Sequence, residues 1–159
     1  MGSHRYQISL CWTGDRGTGT SDYQAYGRDH EIVAEDKLAP IAGSSDPYFR
    51  GDASRYNPEE LLVASLSACH MLSYLHLCAV NGVVVTSYED EATGEMAETA
   101  GHGGHMTGVT LRPRVAISAG SDPAKALALH DEAHHLCFIA NSVNFPVGHE
   151  ALITRAARA

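Results

Sequence analysis

The chain has no cluster of basic residues. Its 159 residues hold 11 Lys and Arg against 19 Asp and Glu, a formal net charge of −8 at pH 7. With no basic cluster to neutralise phosphates, a nucleic-acid partner is argued against. The four cysteines, Cys11, Cys69, Cys78 and Cys137, form no CxxC pair, so a thioredoxin-type motif and a zinc ribbon both fail on spacing. Neither a GxGxxG unit, a Walker loop, a GxSxG elbow nor an HExxH motif occurs, which removes the commonest nucleotide and hydrolase readings. No secretory signal is seen, so a cytoplasmic, reducing compartment is expected, where a disulfide is more often catalytic than structural. Residues 1–4 (MGSH) resemble an expression-tag remnant and carry no argument.

What is present centres on one stretch, RYNPEELLVASLSACHMLSYLHLCAVN, residues 55–81. Asn57 is suited to cap a helix, Pro58 to its first position, and Glu59 and Glu60 to the positive end of its dipole. Asn81-Gly82 supplies the stop. Between the caps no charged residue follows Glu60. Apolar or small side chains cover every face, which predicts a helix buried all round. About 20 mostly apolar residues would also suffice to cross a membrane. Ser65, Ser67, His70, Ser73 and His76, with no basic flank, argue instead for a soluble core helix and no membrane partner. Its small side at Ala64, Ser65, Ser67 and Ala68 leaves room for another backbone, for instance a second copy of the same helix.

With 44% hydrophobic residues the chain can bury a core as a single domain, 1–159. Before the helix, strands are predicted over residues 6–12, 18–26 and 30–34, and a Gly/Ser/Pro-rich loop over 39–55. After it, long strands are predicted over 83–96 and 106–118, joined by a flexible tip at 97–104. Arg112-Pro113-Arg114 predicts a bulge or an edge in the second of these. Ser121 or Asp122 caps a second helix with Pro123 at its first position, Leu127, Ala128, Ala133 and Leu136 forming its apolar face, ending near Cys137. Residues 145–155 make the last strand. The order β-β-β-α-β-β-α-β is an α+β fold with sheets around the two helices.

A free cysteine is most often a small buried hydrophobe. A reactive one needs a cation to hold it as thiolate. Arg16, Arg28, Arg50 and Arg55 are the candidates; Arg50 sits in the loop before the helix, and Glu59 is suited to hold an arginine by a bidentate pair. Glu59 and Cys69 are ten residues apart, roughly 15 Å along one helix. If both serve one thiol, Glu59 comes from another chain, which points to an intertwined homodimer.

NPEELL, a helical Ala-Cys ten residues after its first glutamate, and a second cysteine closing a later helix resemble the OsmC/Ohr family of thiol-dependent peroxidases. The resemblance covers the central helix and the element order across nearly the whole chain. It implies an interlocked homodimer with two central helices flanked by antiparallel sheets, reducing organic hydroperoxides at the expense of a dithiol such as a dihydrolipoyl group on a lipoylated protein. No metal or other cofactor is implied. By position, Cys69 would be the peroxidatic cysteine, Cys137 the resolving one, Arg50 the thiolate and leaving-group stabiliser, and Glu59 the carboxylate that orients it. Phe138 stands after Cys137 where the family usually has proline, and His70, Met71 and Tyr74 are not its commonest choices.

Two other readings stand beside this one. His130 and His134, spaced i,i+4, with His135 and Cys137, or His102 with His105, have the residue types of a zinc or copper site. The chain could also be a non-catalytic dimer that binds an apolar small molecule around Cys69. His70 and His76 do not share a face and are expected as core histidines, with His70 able to tune the neighbouring thiol. Cys11 and Cys78 are expected to pack, and Glu89-Asp90-Glu91 to be a solvated strand face.

Overall fold

The computed structural model describes residues 2–101 and 103–156. The chain forms two compact units, Met1–Leu61 and Leu62–Ala159. In the first, β1 (Ser9–Trp12), β2 (His30–Val33) and β3 (Ile41–Gly43) make an antiparallel sheet in that order. β2 is the strand expected at 30–34. The strand expected at 18–26 is absent, and β3 comes from the expected loop instead. Local hydrogen bonding decides this. The Asp15 carboxylate accepts from the amides of Gly17 and Gly19 at 2.8 and 2.9 Å, and the Arg28 guanidinium donates to the carbonyls of Tyr26 and Tyr23. These bonds curl residues 15–28 into turns and spend the groups a strand would need.

Beyond β3, Asp46 caps a short 3₁₀ turn, Pro47–Phe49, which Arg50 closes in the left-handed region at φ 66°. A capping box then starts helix α1 (Pro58–Val80): Asn57 Oδ1 accepts from the Glu60 amide at 2.8 Å, and Glu60 Oε2 accepts from the Asn57 amide at 3.0 Å. The helix ends at Gly82, whose φ of 73° needs no Cβ. Both ends lie where the caps predict.

In the second unit each long predicted strand is split in two. The segment 83–96 becomes β4 (Val85–Asp90) and the start of β5 (Thr93–Glu98); 106–118 becomes β6 (Gly104–Leu111) and β7 (Pro113–Ile117); 145–155 becomes β8 (Val147–His149) and β9 (Leu152–Arg155). The halves sort into two three-stranded sheets, β4-β7-β9 and β5-β6-β8. In each, the first pair is antiparallel and the last strand is parallel to its neighbour. Pro113 opens β7, which is the middle strand of its sheet and not an edge. The Arg-Pro-Arg signal therefore marks a break between sheets. Pro113 begins the strand, where its missing N–H is tolerated.

One ion cluster ties the three breaks together. The Arg112 amide donates to Asp90 Oδ1 at 2.6 Å, and its side chain donates to Glu150 Oε2 at 3.0 Å and to Thr93 Oγ1 at 2.8 Å. The other Asp90 oxygen accepts from the Ser67 hydroxyl of α1. Asp90 is thus half-buried and fully bonded, not the solvated position that its acidic run suggests.

Helix α1 runs over both sheets. Its C-terminal half (Tyr74, Leu77, Cys78) packs with Val83, Val115 and Ile117 and with Ala126, Leu129 and Ala133 of helix α2 (Pro123–Leu136). Its N-terminal half places Leu66 with Val109 and Leu111. Asp122 caps α2, with Pro123 next. The buried face of α2 is Ala126, Leu129, His130 and Ala133, so the expected face is rotated: Ala133 is inside, whereas Leu127 and Leu136 are about half exposed. α1 is likewise not buried all round. Ala64, Ala68, Leu72, His76 and Val80 form an exposed stripe at four-residue spacing, with Leu72 63% accessible.

Replacing Asp90 with alanine is expected to cost about 1.5–3 kcal/mol, because two donors lose a charged acceptor. Glu91→Ala removes only an exposed 3.5 Å pair with Arg114 and is expected to cost less than about 0.5 kcal/mol. Urea unfolding of the two variants measures the difference.

Candidate dithiol site

Cys69 lies midway along α1 and Cys137 is the residue that ends α2, at φ −70° and ψ 107°. The core that joins the two helices brings residues 68 positions apart into contact. The two thiols lie close enough that Cys69 raises the proton affinity of Cys137, and both cysteines are free. Their environments differ. Cys69 is half-buried at the surface of the helix, whereas Cys137 is 1% exposed. Burial first, and then the neighbouring Cys69 thiol, push the Cys137 thiol up to about 11; a bond from the Ala140 amide to Cys137 Sγ at 3.4 Å acts the other way. Cys137 therefore holds its proton at neutral pH, and Cys69 is the sulfur that an incoming molecule meets.

It meets it across an apolar cavity of about 760 Å³. One wall is the outer face of α1: Ser65, Ala68, Cys69, Leu72, Ser73 and His76, spaced as i, i+3, i+4, i+7, i+8 and i+11. The other is the end of α2 and the turn after it, His135, Leu136, Phe138 and Asn141. Phe138, in the usual place of proline, is 82% exposed and faces this space. His76, expected in the core, is instead exposed and lines the cavity, and so does His135, which was expected only as part of a metal candidate. For His76 the signal was there, since it stands seven residues after Cys69 and so on the same helical face. No comparable signal places His135.

The first unit holds Arg50 and Glu59. Arg50 is exposed at the end of its 3₁₀ turn, and among the described residues neither Arg50 nor Glu59 makes an ion pair. Two other arginine candidates are occupied. Arg28 stacks on Tyr23 and Tyr26 at 4.4 and 4.2 Å. Arg55 lies 3.8 Å from both Asp29 and Asp52.

The histidines divide similarly. His70 Nε2 and His130 Nδ1 are 3.0 Å apart and both residues are at most 1% exposed. Tyr74 stacks on His130 with ring centroids 3.8 Å apart, and His149 lies 5.5 and 5.8 Å from the two rings. His149 itself pairs with Asp131 at 3.2 Å. Among the described residues no three His, Cys, Asp or Glu side chains converge as metal ligands. His102 lies outside the described residues. Burial, followed by the neighbouring His149 and His134, lowers His70 to about 4, with Asp90 opposing. Burial, followed by His70 and His149, lowers His130 to about 3.

A family model for OsmC-like proteins matches residues 51–150. An OsmC-like protein of unknown function from Vibrio cholerae is 31% identical, superposes with a TM-score of 0.85, and aligns over 94% of this chain and 100% of its own. The organic hydroperoxide resistance protein OsmC of Legionella pneumophila shares the fold at 20% identity, TM-score 0.67, over 96% and 99% of the two chains. So does the organic hydroperoxide resistance protein OhrB of Bacillus subtilis, at 20% identity and TM-score 0.61 over 94% and 98%. No curated protein matches the chain.

The neutral histidine pair makes stability depend on pH. Folding lowers both proton affinities, so the unfolded chain takes up protons first, and stability falls as pH drops below about 6.5, through about 4 for His70 and about 3 for His130. Tyr74, Asp90, His134 and His149 neighbour the pair, and of these only Asp90 favours protonation, at His70; Asp131 pairs with His149. Each histidine is expected to remove up to about 1.4 kcal/mol per pH unit in that window. Urea midpoints at pH 7, 6 and 5 should show the fall, and a His70→Gln, His130→Gln chain should show a shallower one.

Proposed function

The chain belongs to the OsmC-like protein family, and on that footing we propose that it is a cytoplasmic thiol-dependent peroxidase that reduces organic hydroperoxides through Cys69 and Cys137. One observation carries this: a half-buried thiol at the edge of an apolar cavity beside a buried, proton-holding thiol whose proton affinity it raises. The names of the Legionella and Bacillus fold neighbours point the same way.

In this mechanism the Cys69 thiolate attacks the distal peroxide oxygen. The O–O bond breaks, the alkoxide takes a proton and leaves as alcohol, and Cys69 becomes a sulfenic acid. Cys137 then supplies its sulfur, the S–S bond forms, and water departs. A dithiol, such as a dihydrolipoyl group, exchanges with the disulfide and restores both thiols. The buried position of Cys137 suits the second role, because its sulfur need meet only Cys69. The cavity favours an alkyl tail over hydrogen peroxide by the apolar area the tail removes from water, about 25 cal/mol per Å².

Arg50 supplies the fixed positive charge beside the thiolate and the leaving oxygen, a task suited to a guanidinium that never deprotonates. Among the described residues Arg50 makes no ion pair, whereas Arg28 is held by the carbonyls and rings of Tyr23 and Tyr26 and Arg55 lies beside Asp29 and Asp52. Among those residues Arg16 is as free of ion pairs as Arg50. Glu59 of a second copy orients it. The exposed stripe Ala64, Ala68, Leu72, His76 and Val80 supports a homodimer, since an apolar helix face of this kind is usually covered.

Steady-state turnover of cumene hydroperoxide with dihydrolipoamide tests the assignment. Cys69→Ser is expected to abolish turnover, Cys137→Ser to stop it after one equivalent, and Arg50→Ala to lower kcat/KM about 100-fold. A wild-type chain that prefers hydrogen peroxide, or Arg50→Ala at full rate, would contradict the substrate or the arginine assignment.

A further inference from the structure

Resting on the two-cysteine reading above, we propose that the buried His70–His130 hydrogen bond is a positioning element for the dithiol, fixing the register of α1 against α2 so that Cys69 and Cys137 meet. His70 is the residue after Cys69 on α1. His130 lies seven residues, about two helical turns, before Cys137 on α2. Their 3.0 Å contact is a directional link between the two helices, sited beside the first thiol.

The pair is an expensive way to join two helices. His70 Nδ1 and His130 Nε2 have no partner among the described residues, in a site at most 1% exposed. An apolar pair of the same size would leave no orphaned nitrogen and is expected to be neutral or stabilising. Apolar contacts already hold these helices together, through Leu77, Ala126, Leu129 and Ala133. What apolar contacts do not set sharply is sliding and rotation, because dispersion and burial are non-directional. The Tyr74 hydroxyl, donating to the Ala126 carbonyl at 3.1 Å, fixes one point of the interface. The imidazole pair fixes a second, closer in sequence to both cysteines, and Tyr74 stacked on His130 locks the ring between them. Two fixed points define the orientation of one helix on another where one does not.

Disulfide formation needs Cα atoms within about 4.4–6.8 Å and a narrow dihedral. A small slip of α2 lowers the effective concentration of one thiol at the other without unfolding anything. A role in positioning therefore appears in the thiol–disulfide equilibrium of the folded chain, which a loss of stability alone does not move.

The equilibrium is measured at pH 7 against dithiothreitol. Oxidised dithiothreitol takes two electrons and two protons from Cys69 and Cys137, its S–S bond opening as theirs closes, so no peroxide is involved. His130→Leu, which leaves His70 Nε2 unpaired, is expected to stay folded with a lower urea midpoint and to form the disulfide about fivefold to tenfold less favourably. His130→Asn, whose amide oxygen can accept from His70, is expected to recover most of the loss. His130→Leu equal to wild type in this equilibrium overturns the proposal, and a wild type that forms no Cys69–Cys137 disulfide overturns the two-cysteine reading with it. Should His130→Leu not fold, long-range ¹⁵N–¹H spectra of the reduced wild type decide: one ring protonated on the facing nitrogen and the other bare supports the link, and averaging tautomers overturn it. A chain that lacks peroxidase activity but shows the His130→Leu effect separates failure of the peroxidase reading from failure of this one.

Discussion

The packing of α2 against the inner face of α1 is the constraint on which the site depends. Tyr74, Leu77 and Cys78 meet Ala126, Leu129 and Ala133 over the sheet β4-β7-β9. Each large apolar side chain so buried is worth about 1.5–3 kcal/mol. Two hydrogen bonds add direction to that burial, Tyr74 to the Ala126 carbonyl and His70 to His130. From this one interface follow the placing of Cys137 at the end of α2, its exclusion from water, and its contact with Cys69. The strand breaks serve the same end. By splitting three strands at one level, around Asp90 and Arg112, the chain makes two sheets that support the two halves of one 23-residue helix.

The same helix has a second, unburied face. Its 23 residues are long and apolar enough to cross a membrane by length and composition, and only 28% of its most apolar window is buried within the chain. His70, Tyr74 and Cys78 on the inner face are packed against protein. The outer stripe shares Ala68, Leu72 and His76 with the cavity at Cys69, so anything bound on this face would also reshape that cavity.

Much of this was legible in the sequence where local chemistry decides. Asn57, Pro58 and Glu60, then Asn81 and Gly82, mark both ends of α1; Asp122 and Pro123 mark the start of α2. Cys69 and Cys137 could be paired only through the family resemblance, because nothing local relates residues 68 apart. Alternating apolar patterns showed where chain was extended but not where an extended segment changes sheet, so three long strands were expected in place of six short ones. A strand was expected at 18–26 as the return from the turn after β1, yet Asp15 bonds the Gly19 amide and Arg28 the Tyr23 and Tyr26 carbonyls, holding the segment in turns. In α2 the apolar residues Leu127 and Leu136 pointed to the wrong face, because the buried face recruits a histidine. That choice makes sense only once His70 is opposite, 60 positions away. Asp90 was misjudged for the same reason: its partners Ser67 and Arg112 lie 23 and 22 residues away.

The central claim is that Cys69 and Cys137 are a working pair while Cys11 and Cys78 are bystanders. The most direct test adds one equivalent of cumene hydroperoxide to the fully reduced protein, blocks the remaining thiols, and maps the linked peptides by mass spectrometry. The account predicts two thiols lost, a single Cys69–Cys137 crosslink, and Cys11 and Cys78 recovered as blocked thiols. Four intact thiols after the peroxide, or a crosslink through Cys11 or Cys78, would contradict it.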